Sequence, residues 1–126
     1  MRKIPFLAPL LFLISCFNQE NKVFGKYEYE GKQTIDSIIL EKNVYTHKIF
    51  DKQGRLMYQG NSTWKLEDNR IIFFNFYNNE DYKLTEFLTE EQAKKFLMSL
   101  SCPIYNDGKT IIVEANADEN IKYYKK

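Results

Sequence analysis

Cysteine, histidine and glycine are scarce in this chain, and each scarcity excludes a class of function. Cys16 and Cys102 are the two cysteines of the 126 residues, and no Cys-x-x-Cys occurs, which excludes a thioredoxin-like redox site and a zinc clip of that type. His47 is the one histidine, so a histidine-rich metal centre is excluded. The five glycines form no phosphate-binding loop, and neither a nucleophile elbow nor His-Glu-x-x-His is present. We expect a non-enzymatic protein with no catalytic residues, no metal site and no cofactor.

The chain also lacks an excess of charge of either sign. Its 18 basic and 17 acidic side chains give a net charge of +1, whereas nucleic-acid-binding proteins carry a basic patch or stripe. We therefore expect no nucleic-acid partner. Glu28 and Glu30 would share one face of a strand, but two neighbouring carboxylates without a cleft or a third partner lack the environment that acid/base catalysis needs. We interpret them as surface residues.

A hydrophobic run long enough to cross a bilayer is absent as well. The longest apolar segment, Ile4 to Ile14, spans eleven residues, and a transmembrane helix needs about 20. Arg2 and Lys3 precede this segment and the small residue Ser15 follows it, which is the layout of an export signal. The sequence therefore predicts that the protein leaves the cytoplasm.

The four residues Leu13-Ile14-Ser15-Cys16 resemble the lipobox of bacterial lipoprotein precursors. The resemblance implies a signal peptide over residues 1–15, acyl chains on Cys16 that attach the protein to a membrane, a lipidated tether over residues 16–22 and a domain over residues 23–126. Phe17 follows Cys16 in place of the Asp that retains some lipoproteins on the inner membrane, which favours the outer membrane. An ordinary signal peptide with a cysteine near its cleavage site by chance is the alternative.

One cysteine remains in the domain once Cys16 is acylated. Cys102 then has no partner for an internal disulfide, so the core must stabilise the domain without one. A free cysteine most often behaves as a small buried apolar residue, and we interpret Cys102 in this way.

Short runs rich in Ile, Val, Tyr, Phe and Thr alternate with turn clusters from Val23 onward, as in an antiparallel barrel or sandwich. Turns are predicted where Asn, Asp and Gly cluster, as at Asp51 to Gly54, Gly60-Asn61 and Asn106 to Gly108. The predicted strands cover residues 24–30, 35–41, 44–50, 55–60, 62–67, 70–77, 82–88, 110–115 and 121–124. Ile38 and Leu40 repeat with period two, so one face of the sheet points inward.

One helix is predicted in the C-terminal half, over about residues 90–101. Thr89 can cap it and Gln92 can complete a capping box. Ala93, Phe96, Leu97 and Leu100 would form a single apolar stripe, and Pro103 would end the helix. We expect this helix to pack on the sheet.

The predicted strands carry a second resemblance. In chain order, Gly25-Lys26-Tyr27, Ile38 to Tyr45, Gly60 to Leu66 and Ile71-Ile72-Phe73 resemble the lipocalin-like small barrels of many bacterial lipoproteins. This resemblance covers residues 25–77 and implies a mainly β fold, an antiparallel lipocalin-like, calycin-type barrel of about eight strands. The resemblance assigns no catalytic residues to this chain. The chain also lacks the paired cysteines of copper-responsive lipoprotein sensors of similar build.

Aromatic residues are abundant, with nine Tyr, ten Phe and one Trp. An eight-stranded barrel is just wide enough to be filled by side chains or to hold one small ligand. If a cavity exists, we expect Tyr45, His47, Trp64, Phe74 and Phe76 to line it, although His47 is more simply interpreted as a barrel residue whose polar atoms are satisfied.

Two hypotheses about function follow. The first is a lipid-anchored, non-enzymatic envelope protein that binds a small apolar ligand. The alternative is a structural or protein-interaction lipoprotein, such as an envelope-stress adaptor or an inhibitor, with a filled barrel. A third hypothesis, an enzyme, would need His47 or a carboxylate in a cleft.

Overall fold

The computed structural model describes residues 21–79 and 84–126, and these form a closed antiparallel barrel. The strands of the described residues pair in chain order, and the last pairs with the first: β1 (Gly25–Glu30), β2 (Thr34–Glu41), β3 (Val44–Asp51), β4 (Leu56–Glu67), β5 (Arg70–Tyr77), β6 (Leu97–Asn106), β7 (Ile111–Asn116) and β8 (Ile121–Lys125). The predicted fold class, a mainly β barrel of about eight antiparallel strands, is confirmed.

The described residues begin inside the predicted tether. The signal peptide and Cys16 lie outside them, so the predictions made for residues 1–20 stay predictions. Residues 21–23 are helical, and the carbonyl of Val23 accepts a hydrogen bond from the Tyr27 hydroxyl at 2.8 Å. None of the helices in the described ranges combines the length and the apolar character that crossing a bilayer requires.

Tight turns join the strands where the sequence places Asn, Asp or Gly. Asn43, Asp68 and Asn120 adopt positive φ angles of 67°, 58° and 58°, and Gly54 and Gly108 adopt 86° and 96°. Asn, Asp and Gly tolerate this left-handed conformation better than other residues do. The Asn, Asp and Gly residues of the turns therefore predict most of the hairpins correctly.

The predicted turn at Gly60-Asn61 is wrong, because β4 runs unbroken from Leu56 to Glu67. Gly60 lies opposite His47 in the ladder between β3 and β4. A Cβ at Gly60 would collide with the hydroxyl of Tyr58, whose side chain lies over this position. The glycine thus makes room for a neighbouring ring within a strand.

The predicted helix exists but is much shorter than predicted. Helix α1 (Glu90–Ala93) begins at Thr89 with the expected capping box, in which Gln92 N donates to Thr89 Oγ1 at 3.1 Å. It ends at Ala93, and a 3-10 turn (Lys94–Phe96) leads into β6. Ala93 is fully buried against the barrel, so the predicted packing of the helix on the sheet is confirmed.

Residues 97–101 form strand instead of helix. Met98, Leu100 and Cys102 lie opposite Phe76, Phe73 and Ile71 of β5. This segment also fits a period of two, and pairing it with β5 satisfies backbone groups that a longer helix would leave exposed on the β5 edge. Tertiary pairing therefore overrides the helical stripe.

The strand predicted over residues 82–88 is wrong where the structure describes it. Residues 84–88 are not in a strand, although Leu88 N donates to the carbonyl of Met57 at 2.7 Å. Residues 82 and 83 lie outside the described ranges.

Backbone pairing between β4 and β5 covers only part of the two strands. Backbone pairing covers Trp64 to Glu67 against Arg70 to Phe73, and a bulge follows in β5, where Asn75 has a φ of 54°. Beyond this point side chains of β3 and β4 bridge to β5. The hydroxyl of Tyr45 donates to the carbonyl of Phe74 at 2.6 Å, and the rings of Tyr58 and Tyr77 lie 4.9 Å apart. We call this region the β4–β5 seam.

A second, smaller core lies at the seam. Ile49, Met57, Tyr58 and Ala93 are buried there, and Tyr77, Leu84, Leu88 and Leu97 pack against them. Helix α1 and the segment before it therefore complete the wall of the barrel where the ladder stops.

We expect Gly60→Ala to lower the free energy of unfolding by about 1–3 kcal/mol, because the added methyl group displaces the Tyr58 ring from a packed position. Urea denaturation followed by the fluorescence of Trp64, the single tryptophan, measures this change. The neighbouring exposed residue offers a matched control, and Gln59→Ala should change stability by less than about 0.5 kcal/mol. Equal stability of the two variants would contradict the role given to Gly60.

Candidate functional site

The interior of the barrel is the candidate site, and four of the five residues expected to line a cavity lie in it. Tyr45 and His47 are each 1% exposed, Phe76 is 2% exposed and Trp64 is 6% exposed. Phe74 is the exception. Whether any of these side chains contacts a ligand stays a prediction.

Phe74 lies on the outer side of the wall, where the Lys65 ammonium is 6.0 Å from its ring centroid. Its neighbour Phe73 is buried inside, opposite Trp64. The simple alternation of a strand would place Phe74 and Phe76 on one face. The bulge between Phe73 and Phe76 breaks that alternation, so Phe73 and Phe76 share the interior.

The interior rings pack against one another. Tyr45 contacts Phe73 edge to face, with centroids 5.2 Å apart, and Phe76 lies 6.0 Å from Tyr45 and 5.3 Å from Phe73. These distances fall within the range of attractive aromatic pairs. We call this group of rings, with Trp64, the aromatic layer.

Trp64 closes one end of the aromatic layer. Its indole N–H donates to the carbonyls of Glu41 and Val44, at 2.8 and 3.0 Å, and thereby ties β4 to the turn between β2 and β3. The ring of Phe24 meets it edge to face at 6.1 Å. The polar atom of this tryptophan is therefore satisfied within the fold.

Tyr45 connects the aromatic layer to the seam. Burial, with a smaller contribution from Tyr58, raises the pKa of the Tyr45 phenol far above its usual value, so the hydroxyl stays protonated and donates to Phe74. The bulge aims this carbonyl inward, and the hydroxyl is the donor that satisfies it.

A cluster of polar side chains that the sequence analysis missed occupies the other half of the interior. Thr34, Asp36, His47 and Asn79 are buried, and the hydroxyl of Tyr123, itself a core residue, reaches Asp36. We call these five residues the polar layer. A signal was present in the sequence, because Thr34 and Asp36 continue the period of two set by Ile38 and Leu40.

Asp36 lies at the centre of the polar layer. Its Oδ1 accepts from Thr34 Oγ1 at 3.3 Å and from Asn79 Nδ2 at 3.5 Å, and its Oδ2 accepts from Tyr123 OH at 3.2 Å. The His47 Nε2 atom lies 3.5 Å from Oδ2 but is not aligned for a hydrogen bond, so this contact is an ion-pair distance only.

His47 is packed in the barrel, but the prediction that its polar atoms are satisfied is wrong for the described residues. Its ring stacks on Phe76 with centroids 4.5 Å apart, and Tyr58 meets it edge to face at 5.7 Å. Within residues 21–79 and 84–126, neither ring nitrogen has a hydrogen-bond partner.

Cys102 is buried, as predicted, and lies opposite Ile71. Burial raises the pKa of its thiol to about 12, while the positive charge of Arg70 acts in the opposite direction. A thiol in this state forms little reactive thiolate at neutral pH.

The two carboxylates considered for acid/base work lie on the surface. Glu28 is 3.5 Å from the Lys26 ammonium, and Glu30 is 3.6 Å from the Lys52 ammonium. Each carboxylate thus has its own lysine.

The described surface also contains clefts outside the barrel. One of about 120 Å³ opens at the seam between Tyr58, Asn75 and Leu97. Another of about 480 Å³ runs beside α1, where Leu88 and Phe96 are flanked by Glu91, Gln92, Lys94 and Lys95.

The class that the geometry defines is a closed, eight-stranded antiparallel barrel, consistent with a lipocalin-like build. Comparisons with protein-family models, with curated proteins and with solved structures give no match.

We expect Tyr45→Phe to destabilise the barrel by about 1–2 kcal/mol, because the Phe74 carbonyl loses its donor in the seam while the ring remains. Urea denaturation monitored by Trp64 fluorescence measures the change. Tyr105→Phe serves as the control, since Tyr105 is 38% exposed, and its effect should stay below about 0.5 kcal/mol. If the two substitutions prove equal, the hydrogen bond does not hold the seam.

Proposed function

We propose that this protein is a lipid-anchored, non-enzymatic protein of the outer membrane whose barrel is a rigid support for binding another envelope protein. The observation that carries the proposal is the aromatic layer, in which Tyr45 and Phe76, two of the residues expected to surround a ligand, contact each other and Phe73 instead. The binding of a small apolar ligand remains a prediction without an observation that favours it.

The packing argument concerns the space that a ligand would need. Pockets for small molecules usually enclose about 300–1,000 Å³ lined mainly by apolar side chains. The aromatic layer fills the apolar half of the barrel, and polar side chains occupy the other half. An apolar ligand would therefore have to displace several packed rings.

The outer surface offers an apolar area instead. Phe96, in the 3-10 turn that leads into β6, is 55% exposed. Large exposed apolar groups rimmed by charged residues are typical of protein interfaces. The cleft beside α1 adds Leu88 to this area and surrounds it with Glu91, Lys94 and Lys95. We call it the Phe96 surface.

The direction of the chain supports the same proposal. β1 begins at the barrel end that carries the β2–β3 turn, and Lys22 and Val23 lie beside Leu66 and Asn69 at that end. β6 begins at the opposite end, next to α1. An anchor at Cys16 would hold the first end towards the membrane, and the Phe96 surface would then point away from the bilayer.

The anchor is tested by metabolic labelling. Cells that express the full chain and are grown with radiolabelled palmitate should incorporate label into the protein, and the Cys16→Ser variant should not, because the thioether needs the Cys16 sulfur. Equal labelling of the two forms would remove the anchor from the proposal.

The partner is tested by photo-crosslinking in intact cells. A benzophenone amino acid at position 96 should crosslink to one envelope protein, and the same group at position 124, which is also exposed in the native chain, should not. Lys94→Glu with Lys95→Glu should weaken the crosslink, because it changes the charged rim of the surface. Identical products from positions 96 and 124 would contradict an interface at α1.

A further inference from the structure

The polar layer holds a carboxylate that the described residues leave without a fixed cation. Asp36 is 1% exposed, and the one cation-forming side chain within 4.0 Å of it in the described ranges is His47. Burying an ionised carboxylate is costly unless it is paired and hydrogen-bonded. Burying Asp36 therefore costs more free energy than burying an apolar residue would, and packing alone does not require a carboxylate at this position.

The nitrogens of His47 are a second, independent sign. Its side chain is 2% exposed, it adjoins Asp36, and neither ring nitrogen is hydrogen-bonded to any residue that the structure describes. Buried polar atoms nearly always have a partner, so an unpartnered pair of atoms inside a core requires an explanation. A ligand that supplies N–H groups would give a ring nitrogen of His47 a donor to accept from.

The contacts within the polar layer are long. Side-chain donors reach the two Asp36 oxygens at 3.2–3.5 Å, whereas charge-assisted hydrogen bonds usually measure about 2.5–2.9 Å. The groups surround the carboxylate without binding it tightly. The carboxylate therefore has unused capacity for a stronger donor.

The contacts of Asn79 indicate which kind of ligand group fits the polar layer. It lies beyond the end of β5, and its amide nitrogen points at Asp36 Oδ1 and at Thr34 Oγ1, which is 3.3 Å away. We propose that the polar layer is a binding site for a small molecule with a primary ammonium group, and that the Asn79 carboxamide occupies the place of this ammonium in the unliganded protein.

The ammonium group matches the acceptors in number and in charge. It has three N–H donors and no acceptor. Asp36 Oδ1, Thr34 Oγ1 and a ring nitrogen of His47 are three acceptors, while Tyr123 continues to donate to Oδ2. The positive charge also compensates the carboxylate. Phe76, stacked on His47, limits the depth of the site, so the ligand's remaining atoms point towards the barrel end where Asn79 enters.

Displacing Asn79 leaves the barrel intact. Asn79 follows the last residue of β5 and forms no pair in the strand ladders, so its movement breaks its side-chain contacts but no ladder hydrogen bond. Segments with few such bonds open at low free-energy cost. The site is separate from the Phe96 surface, so either proposal can fail alone.

The experiment uses His47 as the probe, because the single histidine gives one set of imidazole signals in an untagged protein. The full chain, purified in detergent micelles and ¹³C-labelled at histidine, is titrated with methylammonium chloride while the His47 Cε1–H resonance is recorded. Potassium chloride and tetramethylammonium chloride at equal ionic strength are the controls, since neither cation has an N–H donor. We expect a saturable shift with methylammonium only.

Three variants separate binding from stability. Asn79→Ala should lower the half-saturating methylammonium concentration at least tenfold, because the competing carboxamide is gone. Asp36→Asn keeps the shape of the side chain and should abolish the saturable shift. Asn78→Ala, the adjacent control, should titrate like the unmodified protein. Trp64 fluorescence confirms folding, and Asn79→Ser replaces Asn79→Ala if the latter does not fold.

Some results would overturn the proposal. They are a titration of the Asn79 variant without saturation, a saturable shift that survives in Asp36→Asn, and an equal shift with tetramethylammonium. A saturable shift that tightens without Asn79 and vanishes without the Asp36 charge would establish the site.

Discussion

The hydrogen bond from Tyr45 to the Phe74 carbonyl is the interaction on which the rest of the barrel depends. Backbone pairing between β4 and β5 stops at Trp64 and Phe73, and the bulge that follows aims a carbonyl into the interior. The Tyr45 hydroxyl satisfies that carbonyl, and its ring is the central member of the aromatic layer. One side chain therefore joins the part of the wall where β4–β5 pairing has stopped to the packed interior, and Ala93 of α1 packs at the same place.

The division of the interior into two layers explains why this fold suits one kind of recognition and disfavours another. Rings fill one half, so an apolar guest has little room there. The other half contains a carboxylate and an imidazole whose hydrogen-bonding capacity is only partly used. The outer surface beside α1 carries the exposed Phe96. Binding at the surface and recognition of a polar group inside the barrel are therefore compatible in one molecule.

Local chemistry made most of the fold predictable, and long-range pairing accounts for the errors. The turns at Gly54 and Gly108 and the capping box at Thr89 depend on a few adjacent residues, and these predictions were correct. Residues 97–101 fit both a helical stripe and a strand, and only the free edge of β5 decides between them. Gly60 resembled a turn residue because the Tyr58 ring that requires it cannot be seen in a linear pattern. For the site, Phe74 was misplaced by a bulge, and the polar layer was missed because Asn79 and Asp36 are distant in sequence.

The order of the strands has a consequence for how the chain reaches this structure. Every ladder except one joins strands that are neighbours along the chain, so hairpins can form in succession with modest entropy loss at each loop. The exception brings β1 to β8, and it consists of Tyr27 against Lys125 and Glu28 against Tyr124. The shortest ladder thus closes the largest loop. We therefore expect the β1–β8 junction to form last during folding and to open first under mechanical load.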